Sequence, residues 1–328
     1  MSNNINIKIW ERGDNTYFDV SKLVQKIVWS GRDGTPSRSL EVTLIDSDEF
    51  DRPEISVIKG YQCLFKWKGA ELFRGIIVKT SQSNKGIMSF KAYDVGFYLS
   101  NNKDAFSYKK KKPHEIFKDI CKKFGLKYDN VSRCSVTVSE ISKVTTAWDV
   151  IETSLQEEYE KTGIRHAVTA SEGKLNLITK RENIVKWLLE SDENIISWTY
   201  SDSIEKIKTR IKLYSSKNKT LATAKDASLE NKIGIFQDTN KPDDKITKKS
   251  KLKSLANSIL KEEKQPERIL NIQAYGLTSM TTGRGAFVII PEVNLNKTFY
   301  ITQDTHTFES NDKYTMSLQL KKTTDLDY

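Results

Sequence analysis

Tyr314-Thr315-Met316-Ser317-Leu318-Gln319-Leu320-Lys321 sets Tyr314, Met316, Leu318 and Leu320 on one face and polar residues on the other. Successive side chains of a strand point to opposite faces, so this period of two predicts an antiparallel strand with one buried and one wet face. Glu309-Ser310-Asn311-Asp312-Lys313 precedes it as a turn, and Thr298–Phe308 reads as the partner strand of a hairpin. The four apolar residues are the expected core of the last β region.

The same alternation marks the start of the chain. Ile5, Ile7 and Ile9 alternate with polar neighbours, as do Leu40, Val42 and Leu44 with Ser39, Glu41 and Thr43. Between them Arg32-Asp33-Gly34-Thr35-Pro36-Ser37 is a loop by its Asp-Gly and its proline. Strands are expected at Leu64–Trp67 and Leu72–Thr80. A turn at Ser83-Asn84-Lys85-Gly86 then leads to a strand carrying Met88, Phe90 and Ala92 on one face. Short strands with turn signals suggest a small barrel or sandwich.

Near residue 110 the period becomes helical. Pro113 suits a first turn and Gly125 the position after a helix end, with Ile116, Phe117, Ile120, Cys121 and Phe124 forming one stripe between them. A second helix is expected from the N-cap Thr146 through Trp148, Ile151, Leu155 and Tyr159. Ile164–Ala170 and Lys174–Thr179 then read as a hairpin. From about Trp187 the β pattern returns, with Ile207, Ile211 and Leu213. It is interrupted by a helix at about 248–264, where Leu252, Leu255, Ala256, Ile259 and Leu260 share a face and Pro266 follows. The expected fold class is β-rich α+β. Its domains are a β region at 1–105, a small α+β domain at 106–185, and a second β region at 186–328 holding the inserted helix.

Composition agrees with modest cores. Of 328 residues, 37% are hydrophobic and 29% charged, which favours small domains or an oligomer over one thick globule. No apolar run approaches the ~18 residues of a membrane-spanning helix, so no membrane partner is expected. The opening Met-Ser-Asn-Asn-Ile-Asn lacks the basic and apolar regions of a secretory leader, so synthesis and folding in a cytoplasm are expected. Three cysteines, Cys63, Cys121 and Cys134, cannot make a disulfide framework, and Cys121 reads as a small buried hydrophobe.

The net charge of +10 is local. Asn101–Lys127 holds nine lysines and three acids, and Lys241–Arg268 nine basic and five acidic residues; the rest of the chain balances. Lys109, Lys110, Lys111 and Lys112 are the candidate assembly or surface residues. Binding of DNA or another polyanion through residues 101–127 is one reading and solvated helix faces the other. Without interleaved aromatics, specific nucleic-acid binding is not expected.

Catalytic signals are scarce. There is no G-x-x-x-x-G-K-[ST], G-x-G-x-x-G or G-x-S-x-G, and Gly283-Arg284-Gly285 reads as a turn. His114, His166 and His306 lie in separate segments without metal spacing. Ser100-Asn101-Asn102-Lys103 and Lys161-Thr162-Gly163 imitate a Ser/Lys hydrolase, but the Ser-Asp-Asn between them is missing. Glu157, Glu158 and Glu160 imitate a glycosidase pair and read as a solvated helix face. No catalytic, cofactor-binding or metal-ligating residue is expected, and no cofactor.

Leu72-Phe73-Arg74-Gly75-Ile76-Ile77 followed by Ala92-Tyr93-Asp94-Val95-Gly96-Phe97-Tyr98-Leu99-Ser100-Asn101-Asn102-Lys103-Asp104 resembles the tail hub proteins of PBSX-like defective prophages and related contractile-tailed phages. The helix at Pro113–Leu126, then Trp148-Asp149-Val150-Ile151 and Gly173-Lys174-Leu175-Asn176-Leu177, follow in that family's order. Val95-Gly96 departs from the family's Pro-containing dipeptide. The resemblance implies a member of the late-control-D and T-even baseplate hub class. Two tube-like antiparallel β-barrel domains would flank the α+β domain, and a homotrimer would form a pseudo-sixfold ring. The implied partners are the tail tube protein, the spike or tail-tip protein and the baseplate wedge proteins. The implied place is the baseplate of a virion or tail-like particle. A tail-associated peptidoglycan hydrolase is the alternative, and polyanion binding the second alternative.

Overall fold

The computed structural model describes residues 4–14, 16–45, 57–84, 86–180, 184–242 and 246–321. The chain divides into two compact units, Met1–Trp198 with Asn271–Tyr328, and Thr199–Leu270. It is mostly β.

In the larger unit the first strands are β1 (Ile5–Trp10), β2 (Phe18–Asp19), β3 (Val24–Arg32), β4 (Ser39–Ile45), β5 (Gln62–Trp67), β6 (Ala70–Ser83) and β7 (Ile87–Asp94). They pair antiparallel in the order β3-β4-β7-β6-β5-β1-β2. The period-two readings hold: Ile5, Ile7, Ile9, Leu40, Val42 and Leu44 are buried while Glu41 is exposed. Gly86 takes φ +63°, as the expected turn requires; Lys85 of that turn lies outside the described residues.

The middle of the chain builds a second core. A short helix α1 (Phe97–Asn101) leads into β8 (Lys103–Lys109), followed by α2 (Pro113–Lys123), β9 (Tyr128–Val131), β10 (Glu140–Thr146), α3 (Ala147–Thr162), β11 (His166–Ser171) and β12 (Lys174–Thr179). At the start of α2 the Glu115 carboxylate accepts the Lys112 N–H at 2.9 Å, and Gly125 beyond its end takes φ +64°. Thr146 caps α3 by accepting the Asp149 N–H at 3.1 Å. Ile116, Phe117, Ile120 and Cys121 of the predicted α2 stripe are buried with Val150 and Ile151 of α3, and Phe124 is half-buried against the same core.

The chain then passes through β13 (Ile184–Glu190) and β14 (Ile195–Ser203) into the smaller unit. There β15 (Arg210–Tyr214), β16 (Thr220–Lys225), α4 (Ala227–Ile233), β17 (Gln237–Asn240) and α5 (Lys249–Glu263) follow. Leu252, Ala256 and Leu260 of α5 pack with Ile211, Leu213 and Ala224. The chain returns through β18 (Glu267–Tyr275) to β19 (Gly285–Ile290), β20 (Leu295–Glu309) and β21 (Tyr314–Lys321). Met316, Leu318 and Leu320 of β21 are buried and Tyr314 half-buried.

One pairing joins the two ends of the sequence. β20 runs antiparallel to β3 from Gln303 opposite Arg32 to Glu309 opposite Lys26. Early and late strands therefore belong to one 13-stranded sheet. Phe308 of β20, fully buried, sits in the core of the early strands, 5.0 Å from Phe65 and stacked at 4.1 Å on Tyr314.

Candidate functional site

Where β3 meets β20 the sheet buries charge. Asp304 and His306 occupy inward positions of β20 and are fully buried. The Arg38 guanidinium, entering from the loop before β4, forks onto Asp304: one N–H reaches Oδ1 at 2.9 Å, and the other is paired with Oδ2. Thr282 gives its N–H and its hydroxyl to Oδ1, both at 2.6 Å. His306 Nε2 lies 3.3 Å from Oδ2 and 3.1 Å from the Met280 carbonyl, while its Nδ1 is 2.8 Å from the Tyr314 hydroxyl. Those partners fit a ring that donates from Nε2 and accepts the tyrosine proton at Nδ1. Trp29 covers the guanidinium face at 3.9 Å. Burial alone would raise the Asp304 carboxyl; the arginine and the ring outweigh it and hold the group well below the usual carboxylate range.

A second buried carboxylate fastens the same loop. Asp94, at the end of β7, accepts the Arg38 N–H and the Gly96 N–H, each at 2.9 Å. A side chain on Gly96 would drive its Cβ to 1.8 Å from the Pro36 carbonyl oxygen. Glycine at position 96 thus serves the close approach of this turn to the 31–38 loop. Burial pushes the Asp94 carboxyl up to about 7 against those hydrogen bonds and Arg38. A raised carboxyl stabilises the fold most below its ordinary value and loses that contribution as pH rises through the folded one. The melting temperature of the wild type relative to Asp94→Asn is therefore expected to fall between pH 5 and pH 8. A constant difference across that range would refute the assignment.

Beside this seam lies a cleft of about 200 Å³, bordered by the 31–38 loop, α3 and β11. Lys180 reaches Asp33 at 2.9 Å, Arg165 stacks on Tyr159 at 4.0 Å, and Trp148 donates to the Gly34 carbonyl at 3.2 Å. The Lys180 and Trp148 contacts tie the α+β segment to the loop between β3 and β4.

The residues singled out in the sequence are distributed differently. Lys109 and Lys110 are exposed, Lys111 pairs with Asp119, and Lys112 caps α2 through its backbone. Changing all four to Gln is expected to cost less than about 1 kcal/mol, since exposed pairs contribute only tenths each. A larger loss in urea unfolding would contradict this.

Glu158 is a correction to the solvated-face reading. It is 1% exposed, and its carboxylate accepts the N–H and hydroxyl of Ser135 and the N–H of Val136, all within 2.9 Å. Burial pushes this carboxyl up, but those three donors bring it below its ordinary value. Glu157 likewise accepts from Ser139. Both acids fix the loop before β10.

The fold brings two of the histidines to Cys134: its N–H donates to His114 Nδ1 at 3.0 Å, and its sulfur lies 3.9 Å from His166 Nε2. Burial pushes the Cys134 thiol up to about 12, so it stays protonated and unreactive. Among the described residues no three His, Cys, Asp or Glu side chains are grouped to hold a metal ion.

Residues 27–321 match the YqbQ-like family model. The chain belongs to that family. A relative, the phage-like element PBSX protein XkdQ of Bacillus subtilis, is 33% identical over 288 residues, covering 86% of this chain and 87% of the relative. The 43 kDa tail protein of prophage MuSo2 from Shewanella oneidensis has the same fold, with a TM-score of 0.74 at 12% identity and 99% of both chains covered. The Escherichia coli c3393 protein matches at a TM-score of 0.58 and 12% identity, over 98% of this chain and 78% of that one. It is described as a component of the type VI secretion system with structural similarity to the T4 tail proteins gp27 and gp5.

Proposed function

We propose that this YqbQ-like chain is a structural hub of a contractile tail baseplate, acting as a homotrimer that adapts a sixfold tail tube to a threefold spike. The pairing of β3 with β20 carries the reading. It places an early and a late set of strands in one sheet, so each chain offers two β regions side by side and three chains offer six. In this reading 1–105 and 186–328 each supply a tube-like barrel, antiparallel as expected except that β13 pairs with β19 in parallel, and 106–185 is the α+β domain between them. The names of the PBSX relative and of the MuSo2 tail protein support a place in a virion or tail-like particle. The partners are a second and third copy of this chain, the tail tube protein, the spike or tail-tip protein and the baseplate wedge proteins.

The role is structural, not catalytic. Glu157 and Glu158, the carboxylates closest to a hydrolase pair in sequence, are engaged by the loop they hold. Negative-stain images of the purified chain are expected to contain rings with six β lobes, and the protein is expected not to clear cell-wall suspensions. Monomers at every concentration would defeat the hub reading. Clearance abolished by Glu158→Gln would establish the hydrolase instead.

A further inference from the structure

The Thr199–Leu270 unit is less than a quarter of the chain, yet its 17 basic and 10 acidic residues give seven of the ten net positive charges. Its two arginines are matched, Arg210 to Glu230 at 2.9 Å and Arg268 to Asp202 at 3.0 Å. The surplus therefore rests on lysines. Lys232, Lys241, Lys249, Lys251 and Lys253 are exposed, with no carboxylate partner among the described residues. Lys249 and Lys251 stand in the first turn of α5, which has no acid. Aligned peptide dipoles make that end positive, so lysines there oppose helix stability. These charges are not explained by the fold.

The same unit leaves a sheet edge open. Its three strands lie in the order β16-β15-β17, and β17 pairs with β15 in parallel. The Phe236 carbonyl accepts the N–H groups of Thr209 and Arg210 at 2.8 and 3.2 Å. Strand parity then turns the main-chain groups of residues 236, 238 and 240 toward β15, and those of Gln237 and Thr239 toward the open side. All of β17 is exposed, and just before it Ile235 is 61% and Phe236 40% exposed. From Gly234 to Asn240 there is no lysine or proline of the kind that blunts an edge strand. The outward Thr239 N–H is capped by the neighbouring Asp238 carboxylate at 2.7 Å, a local contact that an added strand must displace.

We infer that this edge is a docking site for an extended acidic segment of a partner protein, which adds as a strand beside β17. Main-chain hydrogen bonds along the edge give register, and Ile235 and Phe236 anchor apolar residues of the segment. Its carboxylates lie among lysines such as Lys232 and Lys241, which bracket the edge in sequence. The charge selects the occupant: at this edge a second copy of the basic 199–270 unit is repelled, and a carboxylate-rich strand is drawn in. Nucleic acid is the poorer fit, because Phe236 is the unit's one aromatic side chain in the exposed class among the described residues.

The test uses the full-length protein and a fluorescein-labelled dodecapeptide of alternating Glu and Val, read by anisotropy at 50 and 300 mM NaCl. Saturable binding is expected at the lower salt. At least a tenfold loss of affinity is expected for Thr239→Pro, which denies the edge its outward N–H, and for Lys232→Glu with Lys241→Glu. Because Thr239→Pro threatens the local fold, Ile235→Glu at a 61% exposed position provides a second probe and should lose affinity with an unchanged melting curve. Three outcomes would overturn the proposal. They are no saturable peptide binding, wild-type affinity in both edge variants, or tighter binding of a 20-base-pair DNA duplex than of the peptide.

Discussion

Asp304→Ala is expected to lower unfolding stability by about 3–5 kcal/mol, the usual result of stripping one partner from a buried ion pair. Several donors lose their acceptor at once: the Arg38 fork, the Thr282 N–H and hydroxyl, and His306 Nε2. A domain is stable by only about 5–15 kcal/mol, so this is a large share of the whole. The penalty comes from the unmatched guanidinium rather than from the worth of the pair itself. The double variant Arg38→Met with Asp304→Leu should therefore recover most of it. Urea unfolding of the three variants at pH 7 checks this; a cost below about 1 kcal/mol for Asp304→Ala would mean that water already reaches the arginine. The sign with pH is opposite to that of Asp94. The Asp304 carboxyl is held low, so its contribution is complete above the ordinary carboxylate range and drains away on acidification.

The same seam marks how far the sequence could be read. Alternation in β1, β4 and β21 and the caps of α2 and α3 are local signals, and each appears where it was expected. β8 and β10 carry little sequence signal because they bury little: Phe106 and Ile141 are the only buried side chains in those two strands. α4 was missed although its signals are present, with Asp226 accepting the Leu229 N–H at 3.1 Å and Gly234 after its last turn. The Arg38–Asp304 pair spans 266 residues, far beyond the reach of any local sequence pattern. One trace was available. Asp304 and His306 share the parity of Phe308, so two polar residues sit on the inward face of an otherwise alternating strand. A polar pair on a core face points to a partner elsewhere. Glu158 was misread for a related reason: a helical acid looks solvated until the loop that covers it is known.

Leu318→Asp tests the late strands where they are least forgiving. Leu318 is 2% exposed, and its cross-strand partner on β20 is Asp304. Removing the leucine's packing alone costs about 2–5 kcal/mol. The new carboxylate also stands directly opposite a buried one, and like charges in that position repel. The Arg38 guanidinium is already committed to Asp304. The expected result is loss of the late β region as a cooperative unit, and with it the proposed trimer of about 113 kDa, three times the 37.6 kDa chain. Light scattering of the wild type and the variant reads this directly. Leu318→Asn separates packing from charge: it should be less damaging at pH 7. Acidification that protonates the new aspartate should bring the two variants together. If Leu318→Asp keeps both its mass and its melting temperature, the 314–321 strand does not form the core that its alternation describes.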